Sequence, residues 1–197
     1  MFISEIFHSL QGEGKYAGHP SVFVRTSGCN LRCSWCDTPH TSWRPEGHHL
    51  DVSTILQQTD LWSQVEHAVI TGGEPLLQPD VAELVAALRT RGHVTTIETA
   101  ATLFLPDLRP DLYSLSPKLA NSLPSHDHAA ARALHERNRN LDVVPRFLDS
   151  GVDVQVKFVV EGVADLPEIL ALVQHWDLPR DQVYLMPQCI SGDTLVE

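Results

Sequence analysis

Basic residues are scarce in this chain. Lys and Arg total 14 against 25 Asp plus Glu, a formal charge of -11, and no basic run interrupts that balance. A sequence-independent grip on the phosphate backbone of nucleic acid is therefore a poor reading. Long apolar runs are missing too. The stretch Val152 to Val160 is interrupted by Asp153, Gln155 and Lys157 and falls far short of the roughly 20 apolar residues that span a bilayer. There is no internal repeat and no low-complexity tract. The opening Met1-Phe2-Ile3-Ser4-Glu5-Ile6 has neither a basic segment nor an extended apolar core, so the expected location is the cytoplasm. Cysteine is rare, at four residues, and three of those lie between positions 29 and 36. In a reducing compartment such thiols serve as metal ligands or catalytic groups and not as disulfides.

What is present is ordinary globular composition, 43% hydrophobic and 20% charged over 197 residues, which predicts a single domain spanning 1–197. Runs rich in β-branched and aromatic residues predict strands at Phe2 to His8, Ser21 to Ser27, His67 to Thr71, His93 to Glu98, Leu112 to Leu115, Asp153 to Val160 and Val183 to Met186. After Pro79, apolar Val81, Leu84, Val85 and Leu88 recur at helical spacing, and Gly92 stops the pattern. A second helix is predicted from Asp165, with Glu168 as its capping-box partner and Ile169, Leu172, Val173 and Trp176 on one face. A third is expected between His128 and Leu141, and a short one after Asp51. Alternating strands and helices imply parallel βα units. A closed barrel of eight such units needs about 250 residues, so this length predicts an incomplete βα barrel. The segment Pro106 to Pro124, with its four prolines, reads as the loosest part of the chain. Strand alternation puts Phe23, Arg25 and Ser27 on one face, and Gln155 and Lys157 on another polar face, both suited to a barrel lumen.

Cys29-Asn30-Leu31-Arg32-Cys33-Ser34-Trp35-Cys36 is Cys-x3-Cys-x2-Cys in a loop just after a strand. Three thiolates at that spacing can converge on one inorganic centre. Closed zinc and iron sites use four protein ligands, whereas three thiolates on a four-iron cluster leave one iron open for a small ligand. A zinc site completed by Cys189, His40 or the His48-His49 pair is the alternative.

The spacing, with Trp35 directly before the last cysteine and Thr71-Gly72-Gly73-Glu74-Pro75 following 35 residues later, resembles the radical S-adenosylmethionine (radical SAM) superfamily. That resemblance accounts for the open iron, which would be chelated by SAM. A finer set resembles the 7-carboxy-7-deazaguanine synthases, small radical SAM enzymes of queuosine and 7-deazapurine biosynthesis. It comprises Ser9-Leu10-Gln11-Gly12-Glu13-Gly14, Phe23-Val24-Arg25, Cys36-Asp37-Thr38, Glu98-Thr99 and Ser116-Pro117-Lys118. The resemblance implies a partial βα barrel with about six core parallel strands, and conversion of 6-carboxy-5,6,7,8-tetrahydropterin to 7-carboxy-7-deazaguanine with loss of ammonia.

It further implies that Cys29, Cys33 and Cys36 hold a [4Fe-4S] cluster. Trp35, Asp37, Gly73, Glu74, Ser116, Pro117 and Lys118 would line SAM, with Glu74 accepting from the methionine ammonium and the glycines letting backbone approach the ligand. Leu10, Gln11, Gly12, Arg25 and Thr71 would hold substrate, and Thr38 would bind Mg2+, the alternative for its hydroxyl being a loop cap. A reductase such as flavodoxin and a homodimeric state come with the family. Two rival functions remain: an activating enzyme that makes a glycyl radical on a partner protein, and a non-catalytic iron-sulfur protein. The first needs a wide docking groove, and the second has no use for Gly72-Gly73-Glu74 or Ser116-Pro117-Lys118. Departures from the family lie at Ala100-Ala101-Thr102, where relatives often carry glycine, and at 192–197, where no motif aligns. Met186-Pro187-Gln188 is placed to reach SAM, and Cys189 reads as a thiol without chemistry.

Overall fold

The computed structural model describes residues 1–188. One eight-stranded sheet is built from β1 (Phe2–Leu10), β2 (Pro20–Thr26), β3 (His48–His49), β4 (His67–Gly72), β5 (Val94–Thr99), β6 (Leu112–Leu115), β7 (Asp153–Val160) and β8 (Val183–Pro187). Its order is β3-β1-β2-β4-β5-β6-β7-β8, with the two ends unpaired among the described residues. From β2 to β8 every neighbouring pair is parallel, which makes six parallel strands in an open barrel. The helices are α1 (Pro39–Ser42), α2 (Val52–Thr59), α3 (Val81–Thr90), α4 (Ala129–Asn138), α5 (Val144–Leu148) and α6 (Leu166–His175). Among the described residues no helix is long and apolar enough to cross a membrane.

Strand parity divides the sheet into two faces. Val24, Ile70, Ile97, Tyr113 and Val154 align across successive strands and are buried in the main core with the inner stripes of the helices. On α3 the buried residues are Val81, Leu84, Val85 and Leu88, the stripe expected from spacing. The opposite face carries Arg25 and Thr71 in register on β2 and β4. It also carries Glu98, Ser114 and Gln155 in register on β5, β6 and β7. A polar lumen thus follows from period-two alternation once the helices cover the apolar face.

The structure adds to or departs from these expectations at four points. β1 is antiparallel to β2 and to β3, because nine residues between Leu10 and Pro20 cannot make the crossover that parallel pairing requires. Asp165 and Glu168 do not form a capping box on α6. Asp165 Oδ2 instead accepts from the amides of Glu161 and Gly162, and Glu168 accepts from Ala120 N and Arg139. The segment Pro106 to Pro124 is folded into the core, with Leu108, Tyr113, Leu119 and Ser122 buried and the Tyr113 hydroxyl donating to Leu108 O at 2.9 Å. Finally, α5 and the two-residue β3 carry no periodic signal long enough to read.

A candidate active site at the carboxyl end of the sheet

The cysteine loop leaves β2 at Thr26 and is tied down on three sides. Gly28 N donates to Thr41 O and Gly28 O accepts from Glu74 N, joining the loop to α1 and to the end of β4. Trp43 Nε1 donates to Cys33 O at 3.0 Å. From the far side, His135 Nδ1 accepts from Arg32 N at 3.1 Å and Asn138 Nδ2 donates to Asn30 O at 2.7 Å, so α4 grips the loop through polar side chains.

Cys29, Cys33 and Cys36 all face one cavity of about 300 Å³. Burial pushes the Cys29 thiol up to about 12 and the Cys33 thiol up to about 11. Sulfurs so placed become thiolates only when a positive centre replaces their protons, which suits metal ligation. Among the described residues no set of three or more His, Cys, Asp or Glu side chains converges on a single-ion position. Among the described residues neither His40 nor His48 and His49, which lie on β3, joins the thiols in such a group. Cys189 lies outside the described residues. Three thiols on one cavity are a donor set that fits a multi-iron cluster with one iron left open.

Gly72 and Gly73 line the cavity and have a packing purpose as well. A Cβ on Gly73 would lie 2.6 Å from Thr41 O and closer still to Gly28 O, and one on Gly72 would overlap the Thr26 backbone. The glycines let the end of β4 pack against the cysteine loop and α1. Glu74 is also part of the wall. It is fully buried, Oε1 accepts from Thr99 Oγ1 and Leu76 N, and Oε2 accepts from Ala100 N. Burial outweighs these hydrogen bonds and raises its carboxyl above the usual range. Its carboxylate oxygens are engaged by Thr99, Leu76 and Ala100 within the wall behind the cavity lining.

Of the other expected residues, Trp35, Asp37, Thr38, Ser116 and Lys118 line the cavity beside the thiols. Lys118 Nζ donates to Ser116 Oγ at 2.7 Å and sits 5.4 Å from the Trp35 ring centroid. Thr38 precedes α1 without capping it; its hydroxyl donates to Asp37 Oδ1 at 3.1 Å. Arg25 and Thr71 line the lumen side. Arg25 Nε donates to Glu5 Oε1 at 2.7 Å and its guanidinium stacks over Phe7, leaving the terminal nitrogens without a partner among the described residues. Leu10 is 61% exposed, and Leu10, Gly12 and Pro117 do not line the cavity. Gln11 reaches it through Glu98, to which its Nε2 donates at 3.1 Å. Ala101 takes φ +56, so the chain keeps at alanine a turn that glycine adopts without strain. Met186, Pro187 and Gln188 line the cavity as placed from sequence.

Two charged lining residues, Glu98 and Lys157, are assigned no ligand contact from sequence. Glu98 and Lys157 face each other across the lumen at 3.6 Å, and Lys157 also pairs with Glu13. Burial would raise the Glu98 carboxyl, but Lys157 and donors on Thr71 and Gln11 outweigh it and hold it below the usual range. Burial would likewise lower Lys157, and the two carboxylates outweigh it in turn. Both groups are therefore ionised at neutral pH. The available signal is parity, since Glu98 lies on the face of β5 opposite Ile97, which faces the main core.

The sequence profile of the Radical SAM superfamily matches residues 23–164. A 7-carboxy-7-deazaguanine synthase of Rhodopirellula baltica is 47% identical over 197 residues, covering 99% of this chain and 76% of the relative. One of Halobacterium salinarum is 43% identical, covering 94% of this chain and 76% of its own. Among solved structures, QueE from Escherichia coli is similar with a TM-score of 0.65 at 24% identity, over 98% of this chain and 86% of that one.

Proposed function

The chain belongs to the 7-carboxy-7-deazaguanine synthase family of radical SAM enzymes, and we propose that its cavity converts 6-carboxy-5,6,7,8-tetrahydropterin to 7-carboxy-7-deazaguanine with loss of ammonia. Membership brings a [4Fe-4S] cluster and SAM. The observation that carries the substrate reading is a single cavity lined both by three thiols and by Arg25, Thr71, Glu98 and Lys157. When bound, the cluster and SAM supply the 5'-deoxyadenosyl radical that takes hydrogen from substrate C6.

The protein residues hold, orient and enclose. Cys29, Cys33 and Cys36 bind the cluster, and Trp35, Asp37, Gly73, Ser116 and Lys118 contact SAM, with Glu74 and Pro117 supporting that wall from behind. The two terminal nitrogens of Arg25 grip the substrate carboxylate as a planar fork. Ionised Glu98, steadied by Lys157, Thr71 and Gln11, accepts from the adjacent N–H groups of the pterin's 2-amino-4-oxo ring. Thr38 and its neighbour Asp37 would offer oxygen to Mg2+, a cation that favours water and anionic oxygen and so suits a carboxylate substrate. A flavodoxin-type one-electron donor and a homodimeric state complete the reading.

The test is a turnover assay on anaerobically reconstituted protein with the carboxytetrahydropterin deuterated at C6. Deuterium is expected in 5'-deoxyadenosine or recovered SAM, together with 7-carboxy-7-deazaguanine. No transfer, with an intact cluster and authentic substrate, removes this substrate while leaving the superfamily in place.

A further inference from the structure

Ser42 closes α1 at 3% exposure, and its hydroxyl has one hydrogen-bond partner among the described residues, Cys36 Sγ at 3.2 Å. A serine in a helix commonly returns its hydroxyl to a carbonyl one turn back. Here Thr41 Oγ1 takes Thr38 O at 2.9 Å, and Pro39 O accepts from Arg44 N at 3.0 Å. A buried hydroxyl without a partner is costly, so the sulfur is what keeps Ser42 satisfied.

The three thiols are not treated alike. Cys29 Sγ accepts from the Leu31 amide at 3.4 Å. Cys36 has the Ser42 hydroxyl, while Thr38 Oγ1 stands 4.0 Å away and spends its proton on Asp37. Cys33 Sγ has its own backbone amide nearby and no donor from another residue among those described. An iron-bound thiolate carries no proton and can only accept, so in the loaded protein Ser42 must be the donor. Hydrogen bonds to cluster sulfurs are one of the factors that set the reduction potential. A proton shared with sulfur stabilises the more negative, reduced form.

We propose that Ser42 is a positioning residue for the electron-accepting step: its hydroxyl, held on Cys36 Sγ, makes the cluster easier to reduce. The step moves one electron from a flavodoxin-type donor, which is oxidised, to the cluster, which is reduced; no bond is made or broken and the Ser42 proton stays on its oxygen. This rests on the reading of the three cysteines as cluster ligands, which an iron count tests separately.

Wild type and Ser42→Ala are reconstituted anaerobically, counted for iron, and titrated without SAM against mediators, with the reduced cluster followed by electron paramagnetic resonance. Both should hold about four irons per chain. At a fixed potential the reduced-to-oxidised ratio of Ser42→Ala should be roughly three- to tenfold lower, a midpoint about 30–60 mV more negative at 59 mV per tenfold for one electron. The wild-type reduced cluster should also show an exchangeable-proton hyperfine coupling that vanishes in D2O and is absent from Ser42→Ala. An unchanged midpoint with a full cluster overturns the proposal. Loss of iron from Ser42→Ala alone also overturns it, because the hydroxyl would then retain the cluster and not tune it. A wild-type chain that holds no iron removes the ligand reading, and this inference with it.

Discussion

Replacing His135 with alanine should loosen the cysteine loop by an amount that depends on pH. α4 has only one buried side chain, His135, and no broad apolar stripe to dock it. Since Arg32 N donates to Nδ1, the imidazole proton sits on Nε2 and points at Ser122 Oγ, 3.0 Å away, whose own proton goes to Leu119 O at 2.6 Å. Burial drives the ring down from 6.5 to about 4. The unfolded chain therefore binds a proton first, and the stabilisation from neutral His135 is complete above pH 6.5 and lost as pH falls toward 4. At pH 7.5 His135→Ala removes two hydrogen bonds and strands the Arg32 amide, a loss of about 2–4 kcal/mol. At pH 5 the wild type is itself weakened by about 2 kcal/mol through this linkage. The gap between the two proteins should shrink by that amount, since other titrating groups are common to both. Denaturant melts of the iron-free proteins at the two pH values measure the gap directly. An equal gap at both would refute the neutral, acceptor role assigned to the ring.

Gly73→Ala should displace the cysteine loop through its clash with Gly28 O and Thr41 O; an iron count close to wild type after reconstitution would contradict that packing role. Arg25→Lys keeps a charge but loses the fork, and should cost roughly 2–4 kcal/mol, about 30- to 1000-fold in kcat/KM, while SAM affinity measured by equilibrium dialysis stays within about twofold. Thr38→Ala should weaken Mg2+ activation and leave SAM cleavage without substrate intact; an unaltered magnesium dependence would take Thr38 out of the metal reading.

The parts of this fold that sequence made legible are those fixed by local chemistry. Val81, Leu84, Val85 and Leu88 can only be one face of a helix, and the cysteine spacing is a local constraint on one loop. What escaped depends on register or on tertiary competition. Glu98 meets Lys157 because β5, β6 and β7 align Glu98, Ser114 and Gln155, which no single strand encodes. Asp165 and Glu168 match a capping box in sequence, yet Asn121 Nδ2, Arg139 and the Ala120 amide supply other partners. His135 lies in a polar helix whose burial follows from what it holds and not from hydrophobic spacing. The Gly72-Gly73 pair is legible as a motif, but its second task, making room for the Gly28, Thr41 and Thr26 backbone, depends on the neighbouring strand and loop.

Charge bookkeeping inside the cavity reconciles a chain of formal charge -11 with an anionic substrate. Among the described residues the charged side chains lining it are Arg25, Lys118 and Lys157 of one sign and Glu13, Asp37 and Glu98 of the other. Lys157 is committed to Glu13 and Glu98, and it is 4% exposed, so its attraction is spent within the wall. Two cations keep capacity for a ligand: Arg25 through its terminal nitrogens, and Lys118 beside Trp35. The proposed reaction brings two carboxylates, one on the pterin and one on the methionine part of SAM. In the proposed reading Arg25 would take the first and Lys118 the second. Because close charges in a partly buried site act more strongly than distant screened ones, the acidic exterior would bear on solubility and long-range steering, while in that reading these two residues decide which anion rests where.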